Sequence, residues 1–237
     1  MNVELDEINK WKALRDSLNQ TYEFNNNWEK AIDLFNTRLK RKFFNPIQTL
    51  IDTKTLEGEG FTIVTVLCSL IEMLSAFRKG EIYNHQKKRN SPSFEYNQSK
   101  IMFTDFLKTA SIFKDIFWKI DSKDGKSITN GEFDADDFYT SVRCGLMHEA
   151  RTKNNWFINA APKTIKTKTE DSFLNKDGNK KIIYRTVLHY RLLTYLSEYQ
   201  DELRQTNFEG KILRKYFARK MDHLFEFKLD AKYDWWT

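Results

Sequence analysis

The chain has 237 residues, of which 40% are hydrophobic and 30% charged, with 8 Gly and 3 Pro; this balance fits a folded, mostly helical single domain and excludes collagen-like and low-complexity classes. Its two cysteines, Cys68 and Cys144, lack metal-ligand spacing, which excludes a disulfide framework or a zinc ribbon and points to a reducing compartment. The formal net charge of +6 favours an anionic partner.

Met1 to Lys10 is acidic and polar, without a basic stretch leading into an apolar core, so no secretory signal is read and a cytoplasmic location is expected. From Trp28 to Ile51, apolar residues at Trp28, Ile32, Leu34, Phe35, Leu39, Phe43 and Phe44 fall at helical spacing, and Pro46 interrupts them. This predicts one long helix or a broken pair. Gly58 and Gly60 then punctuate the chain, and a second helix is expected over Phe61 to Lys79 with Gly80 as its stop. The apolar stretch Phe61 to Phe77 carries Thr62, Thr65, Ser69, Glu72 and Ser75, which marks a buried central helix rather than a membrane span. No membrane association is expected.

His85 to Asn97, with Pro92, reads as a surface loop. A third helix is expected over Gln98 to Trp118, where Ile101, Phe103, Phe106, Leu107, Ile112, Phe113, Ile116 and Phe117 supply a wide apolar face, followed by a turn-rich loop over Asp121 to Gly131. A fourth begins near Asp134 or Ala135, with Asp134 as its cap and Asp136 and Asp137 at the positive end of the helix dipole. Its buried stripe is Phe138, Val142, Leu146 and Met147, and Asn154 and Asn155 stop it. Trp156 to Ala160, Thr164 to Thr169 and Lys181 to Tyr184 around Asp177-Gly178 then read as short strands and a hairpin. Helices return over Thr186 to Leu203 and Phe208 to Leu229; the tail Trp235-Trp236-Thr237 has no assignment. The expected class is mainly α, a helical bundle with a basic β-hairpin insertion at about 156–184.

Most enzyme signatures are missing. There is no His-x-x-x-His pair, glycine-rich phosphate loop, Gly-x-Ser-x-Gly elbow or carboxylate cluster that demands a metal, so neither metal nor cofactor is expected. His85, His189 and His223 read as surface or hydrogen-bonded structural residues. The charge is uneven, because Arg143 to Arg191 holds eleven Lys or Arg against four acids while the remainder is near neutral. His148 stands among these cations, between Arg143 and the pair Arg151 and Lys153. In a straight helix a five-residue offset is about 140° of rotation and roughly 7.5 Å of rise, so Arg143 and His148 do not stack on each other. Two copies of this helix end, related by a two-fold axis, would instead surround one phosphate with two arginines and two histidines.

The run Arg143-Cys144-Gly145-Leu146-Met147-His148 resembles the R-x4-6-H motif of the HEPN superfamily. It lies, as in that family, late in a bundle of long helices, and the resemblance covers roughly Trp28 to Asn155. It implies an all-α fold and, as in many members, a homodimeric metal-independent endoribonuclease of bacterial toxin or antiviral-defence type, whose site is composed from both motifs. Two positions depart from the family's pattern. Cys144 stands where active members often have a polar residue, and a thiol is a weak donor. Ala150 stands where some toxins of the family carry a modifiable tyrosine.

On this resemblance Arg143 and His148 are the catalytic pair, Arg143 clamping phosphate and His148 moving protons. Glu149 and Glu72 would orient His148, with Cys144 beside them. Arg151, Lys153, Lys163, Lys166 and Lys168 would hold flanking RNA phosphates. A neutralising or activating protein is a possible further partner. The alternatives are a non-catalytic RNA-binding or assembly module of the same fold, and a purely structural interaction protein whose basic loops are merely solvated.

Overall fold

The computed structural model describes residues 3–20, 22–53, 57–123, 125–161, 172–228, 233 and 236. These are mainly α-helical. The chain divides into two compact units, one of Met1–Lys42, Leu74–Asn97 and Leu196–Thr237, the other of Phe43–Met73 and Gln98–Tyr195.

The helices in chain order are α1 (Val3–Gln20), α2 (Asn26–Leu39), α3 (Asn45–Thr53), α4 (Glu59–Lys79), α5 (Ser99–Leu107), α6 (Ala135–Asp137), α7 (Gly145–Glu149), α8 (Arg185–Arg204) and α9 (Phe208–Leu224). Two π-helical stretches, Lys40–Phe44 and Phe138–Cys144, join α2 to α3 and α6 to α7. The first resolves the choice at Pro46. Proline has no N–H to close an α-helical turn, and the widened turns just before it let the helix continue rather than break.

In the first unit, α1 lies where helical spacing gave no element. Asn25 starts α2 by accepting from the backbone N–H groups of Asn27 and Trp28, and Asn207 does the same for α9 at Gly210. Phe35, Phe77, Tyr199 and Phe217 form an aromatic core, with the Phe35 and Phe77 centroids 4.4 Å apart and Trp11 and Trp28 edge-on to Phe217. Two short strands, β1 (Ile82–Tyr83) and β2 (Glu95–Tyr96), pair in parallel across the predicted surface loop.

The last described residues of this unit are anchored internally. Asp222, fully buried, accepts from Trp11 Nε1 (2.9 Å), Trp236 Nε1 (2.9 Å) and both Nε and Nη2 of Arg15 (2.7 and 2.9 Å). Arg15 in turn lies 3.7 Å from the Tyr233 ring centroid.

In the second unit the third predicted helix is much shorter than its spacing suggests. The chain forms α5, a 3₁₀ turn at Ser111–Phe113 and then β3 (Trp118–Ile120), paired antiparallel with β4 (Ile128–Asn130). Ala110 is extended and Asp115 has a φ of 63°, two backbone states that end a helix. Ile101 is 51% exposed, but the other apolar residues of that expected face remain in the core. Phe113, Phe117, Phe138 and Phe173 pack edge to face, and Trp156 meets Phe138 at 5.3 Å.

A three-stranded sheet of order β5-β7-β6 completes the unit, with β5 (Trp156–Asn159), β6 (Leu174–Asp177) and β7 (Lys180–Tyr184). β5 is parallel to β7 and β6 antiparallel to it. The strand predicted over Thr164 to Thr169 lies outside the described residues.

Among the described residues, α4 alone has the length and composition to cross a membrane, and 61% of its apolar window is buried inside the protein. Gly60 belongs to this helix rather than punctuating before it. A Cβ there would meet Arg185 Nη1 at 2.8 Å and Ile158 at 3.0 Å.

Candidate functional site

The site is carried by the continuous run of α6, the π-helical stretch and α7. Asp134 caps its start, Oδ1 accepting from the backbone N–H of Asp136 (2.7 Å) and Asp137 (3.3 Å). The carboxylate of Asp136 is held by Lys100 and Lys108. Asp137 does more than complement the helix dipole. It accepts from Ser141 Oγ (2.6 Å), Trp156 Nε1 (3.0 Å) and Lys181 Nζ (2.5 Å). Burial by itself pushes the Asp137 pKa up, but the hydrogen bonds from Lys181, Ser141 and Trp156 outweigh it and the net shift is downward.

Phe138, Val142 and Leu146 are buried as their spacing predicts, whereas Met147 is 49% exposed. Five residues past Val142, Met147 is turned about 140° from it on a regular α-helix, so helical spacing itself carries Met147 off the buried stripe and the expectation of its burial fails there.

Arg143 is half-buried. Its Nη2 donates to Glu72 Oε2 at 3.2 Å, and its guanidinium lies 5.4 Å from the Tyr139 ring centroid. Tyr139 is itself set edge-on against Phe103 at 5.4 Å. Burial opposes the charge on Arg143, yet Tyr139, Glu72 and Cys144 around it raise its pKa overall. Burial also raises the Tyr139 pKa, with Arg143 working against it and Cys144 and Glu72 with it. Cys144 is half-buried. Cys68 is buried, and burial pushes its thiol up to about 12, which leaves it a small apolar residue rather than a nucleophile.

Past Gly145 the helix runs only to Glu149, where Ala150 adopts a left-handed conformation with a φ of 52°. The chain folds straight back, with Lys153 N donating to Ser141 O at 2.9 Å. A Cβ on Gly145 would stand 2.5 Å from the Arg151 carbonyl oxygen. Glycine in the motif is therefore what lets the return segment lie against the helix. The return brings Arg151 (3.4 Å) and Lys153 onto the carboxylate of Glu149. These two cations, Lys153 first, lower the Glu149 pKa.

The structure thus gathers the expected residues into two groups. Arg143, Glu72 and Cys144 come together, joined by Tyr139. His148 stands exposed on the last turn of α7 beside Glu149, with Arg151 and Lys153 on the return. The expected role of Glu72 and Glu149 as His148 acceptors differs from their placement, since Glu72 engages Arg143 and Glu149 engages Lys153 and Arg151. Opposite charge decides this: a charge-assisted hydrogen bond from a guanidinium or ammonium is about twice as strong as one between neutral groups. Lys163, Lys166 and Lys168 lie outside the described residues.

The local cation excess is smaller in space than in sequence, because acids from elsewhere meet it. Glu72 pairs with Arg143, Glu132 with Lys176, Asp137 with Lys181 and Glu59 with Arg185. Tyr139 and Asp137 are the site residues that sequence reasoning missed. Tyr139 is four residues before Arg143, a helical neighbour spacing that would have found it. Among the described residues no group of three or more His, Cys, Asp or Glu converges to hold a metal. No family model, curated protein or solved structure matches this chain.

Proposed function

We propose that the chain is a homodimeric endoribonuclease that cleaves RNA with the substrate's own 2′-hydroxyl as nucleophile, acting as a toxin or antiviral-defence effector of HEPN type. The observation that carries this reading is the contrast along one helix end. Arg143 is anchored by Glu72 and Tyr139 but not sealed, while His148 stands in solvent one turn beyond. A guanidinium has five N–H donors, and Glu72 uses one at Nη2, so donors remain for phosphate oxygens.

In the composite site His148 takes the 2′-hydroxyl proton, the O2′–P bond forms and the P–O5′ bond breaks. A second copy's His148 protonates the departing 5′-oxygen. Arg143 stabilises the charge that builds on the phosphorane. The face of α4 that bears Glu72 suits a second copy, since Phe61, Thr62, Thr65, Val66, Ser69 and Met73 are exposed or half-buried there.

The test is purified protein with total RNA. Cleavage leaving 2′,3′-cyclic phosphate ends is expected, with His148→Ala losing on the order of 10² to 10⁴ in rate while its circular dichroism stays unchanged. Arg143→Lys is expected to rescue poorly, since an ammonium keeps the charge without the planar fork. Intact cleavage by folded His148→Ala, or by a strict monomer, would overturn the assignment. The hold of Glu72 on Arg143 favours a second reading, a non-catalytic RNA-binding module, which predicts salt-dependent RNA binding without cleavage.

A further inference from the structure

The first unit carries an open surface cleft of about 460 Å³ between the β1–β2 connection and the C-terminal end of α9, with Tyr83, Asn84, Phe94, Glu95, His223 and Phe227 in its wall. Its carboxylate is fixed before any ligand arrives. Asn84 Nδ2 donates to Glu95 Oε2 at 2.7 Å, and Asn84 is locked in turn because its Oδ1 accepts from Gln86 N at 2.9 Å. Among the described residues no hydrogen bond reaches Glu95 Oε1. His223, exposed, lines the same cleft. Burial lowers its pKa first and Lys220 adds to that, against a smaller pull from Glu226.

The aromatic walls carry a further discrimination. Arg219 stands 4.4 Å from the Phe94 ring centroid and Arg15 4.9 Å from that of Phe227, and both arginines are buried. A ring already polarised by a cation is a poor host for a second cation and a good stacking partner for a neutral, electron-rich π system. The volume, the pinned carboxylate and these walls together describe a planar heteroaromatic guest with two adjacent N–H donors on one edge.

We propose that this cleft binds a guanine nucleoside, the base stacked on the aromatic wall and its N1–H and N2–H₂ edge donating to the Glu95 carboxylate. Adenine presents a ring-nitrogen lone pair where guanine presents N1–H, and the carboxylate repels it. The assignment stands independently of the cleavage proposed at Arg143 and His148.

Guanosine, adenosine and free arginine titrated calorimetrically into the full-length chain test it. Saturable guanosine binding is expected, with adenosine weaker by about tenfold or more, the scale of one hydrogen bond to a charged group. Glu95→Gln, with an unchanged melting temperature, should reduce guanosine affinity by a similar factor. Absence of saturable guanosine binding, equal affinity for adenosine, tighter binding of arginine, or full guanosine affinity in Glu95→Gln would each overturn the proposal. The comparison of the three ligands on the unaltered chain keeps the test decisive if Glu95→Gln fails to fold.

Discussion

Asp222 in the first unit and Asp137 in the second each accept an indole N–H and a cationic side chain, but Asp222 is fully buried while the Asp137 side chain is 25% exposed. Their partners differ in reach as well. Asp222 joins Trp11 and Arg15, more than 200 residues away, whereas Asp137 joins Ser141, Trp156 and Lys181 within 44. The first arrangement closes a unit from its two chain ends. The second braces one helix start and the strands that follow it, next to the Arg143 site. The difference teaches that the same polar device costs little where water still reaches it and a great deal where water is excluded.

Asp222→Asn gives the largest expected effect, because it removes the negative charge that balances the buried Arg15 guanidinium; loss of one partner from a buried pair costs about 3–5 kcal/mol. Urea unfolding measures it. A loss no greater than that of Asp137→Asn would break the comparison.

Gly145→Ala comes next. Helix propensity favours alanine over glycine by about 1 kcal/mol, but here the new Cβ meets the Arg151 carbonyl at 2.5 Å, and relieving such overpacking costs about 1–3 kcal/mol. A net destabilisation in the same unfolding assay shows that the return segment, not the helix, sets the residue at this position.

Asp137→Asn should cost less, about 1–2 kcal/mol, as expected for hydrogen bonds to a part-exposed charged group. Its sign with pH follows from the lowered pKa of Asp137. The carboxylate stabilises the fold in full above its unfolded pKa, about 4, and that contribution disappears as pH falls through the still lower folded value. Stabilities of the variant and the parent should therefore differ at neutral pH and converge in acid. A gap that persists in acid would assign the cost to packing instead.

What was legible in the sequence was what local spacing encodes. The helix from Phe61 with its Gly80 stop, the Asp134 cap, the buried Phe138, Val142 and Leu146, and the strands β5 and β7 all follow from period and turn chemistry. Three features were not legible. The π-helical stretch Phe138–Cys144 leaves no mark in the apolar spacing, because Phe138, Val142 and Leu146 are buried on it as they would be on a regular helix. Ile116 and Phe117 keep helical spacing in a non-helical segment, because burial selects apolar residues whatever backbone delivers them. Periodicity also names a buried face but never its partner: nothing near Arg143 in sequence announces Glu72, 71 residues away, and nothing near Trp236 announces Asp222 as its acceptor.

Glu72→Gln isolates that distant contact and should have the smallest effect on stability. Arg143 and Glu72 are 21% and 17% exposed at their side chains, and a pair that water still reaches contributes about 0–1 kcal/mol. Its effect on the proposed reaction should be larger and divided. Glutamine can still accept from Arg143, so the guanidinium keeps its place near Tyr139, but the negative charge that competes with an incoming phosphate is gone. RNA should then bind more tightly, lowering KM. The rate should fall as well, because the tighter contact is made to the phosphate already in the ground state, which deepens the bound complex and raises the barrier from it. Steady-state kinetics on a short RNA separates the two parameters. A fall in both KM and kcat marks Glu72 as a positioning residue; a rise in KM with kcat unchanged would mean that Glu72 only shapes the local fold.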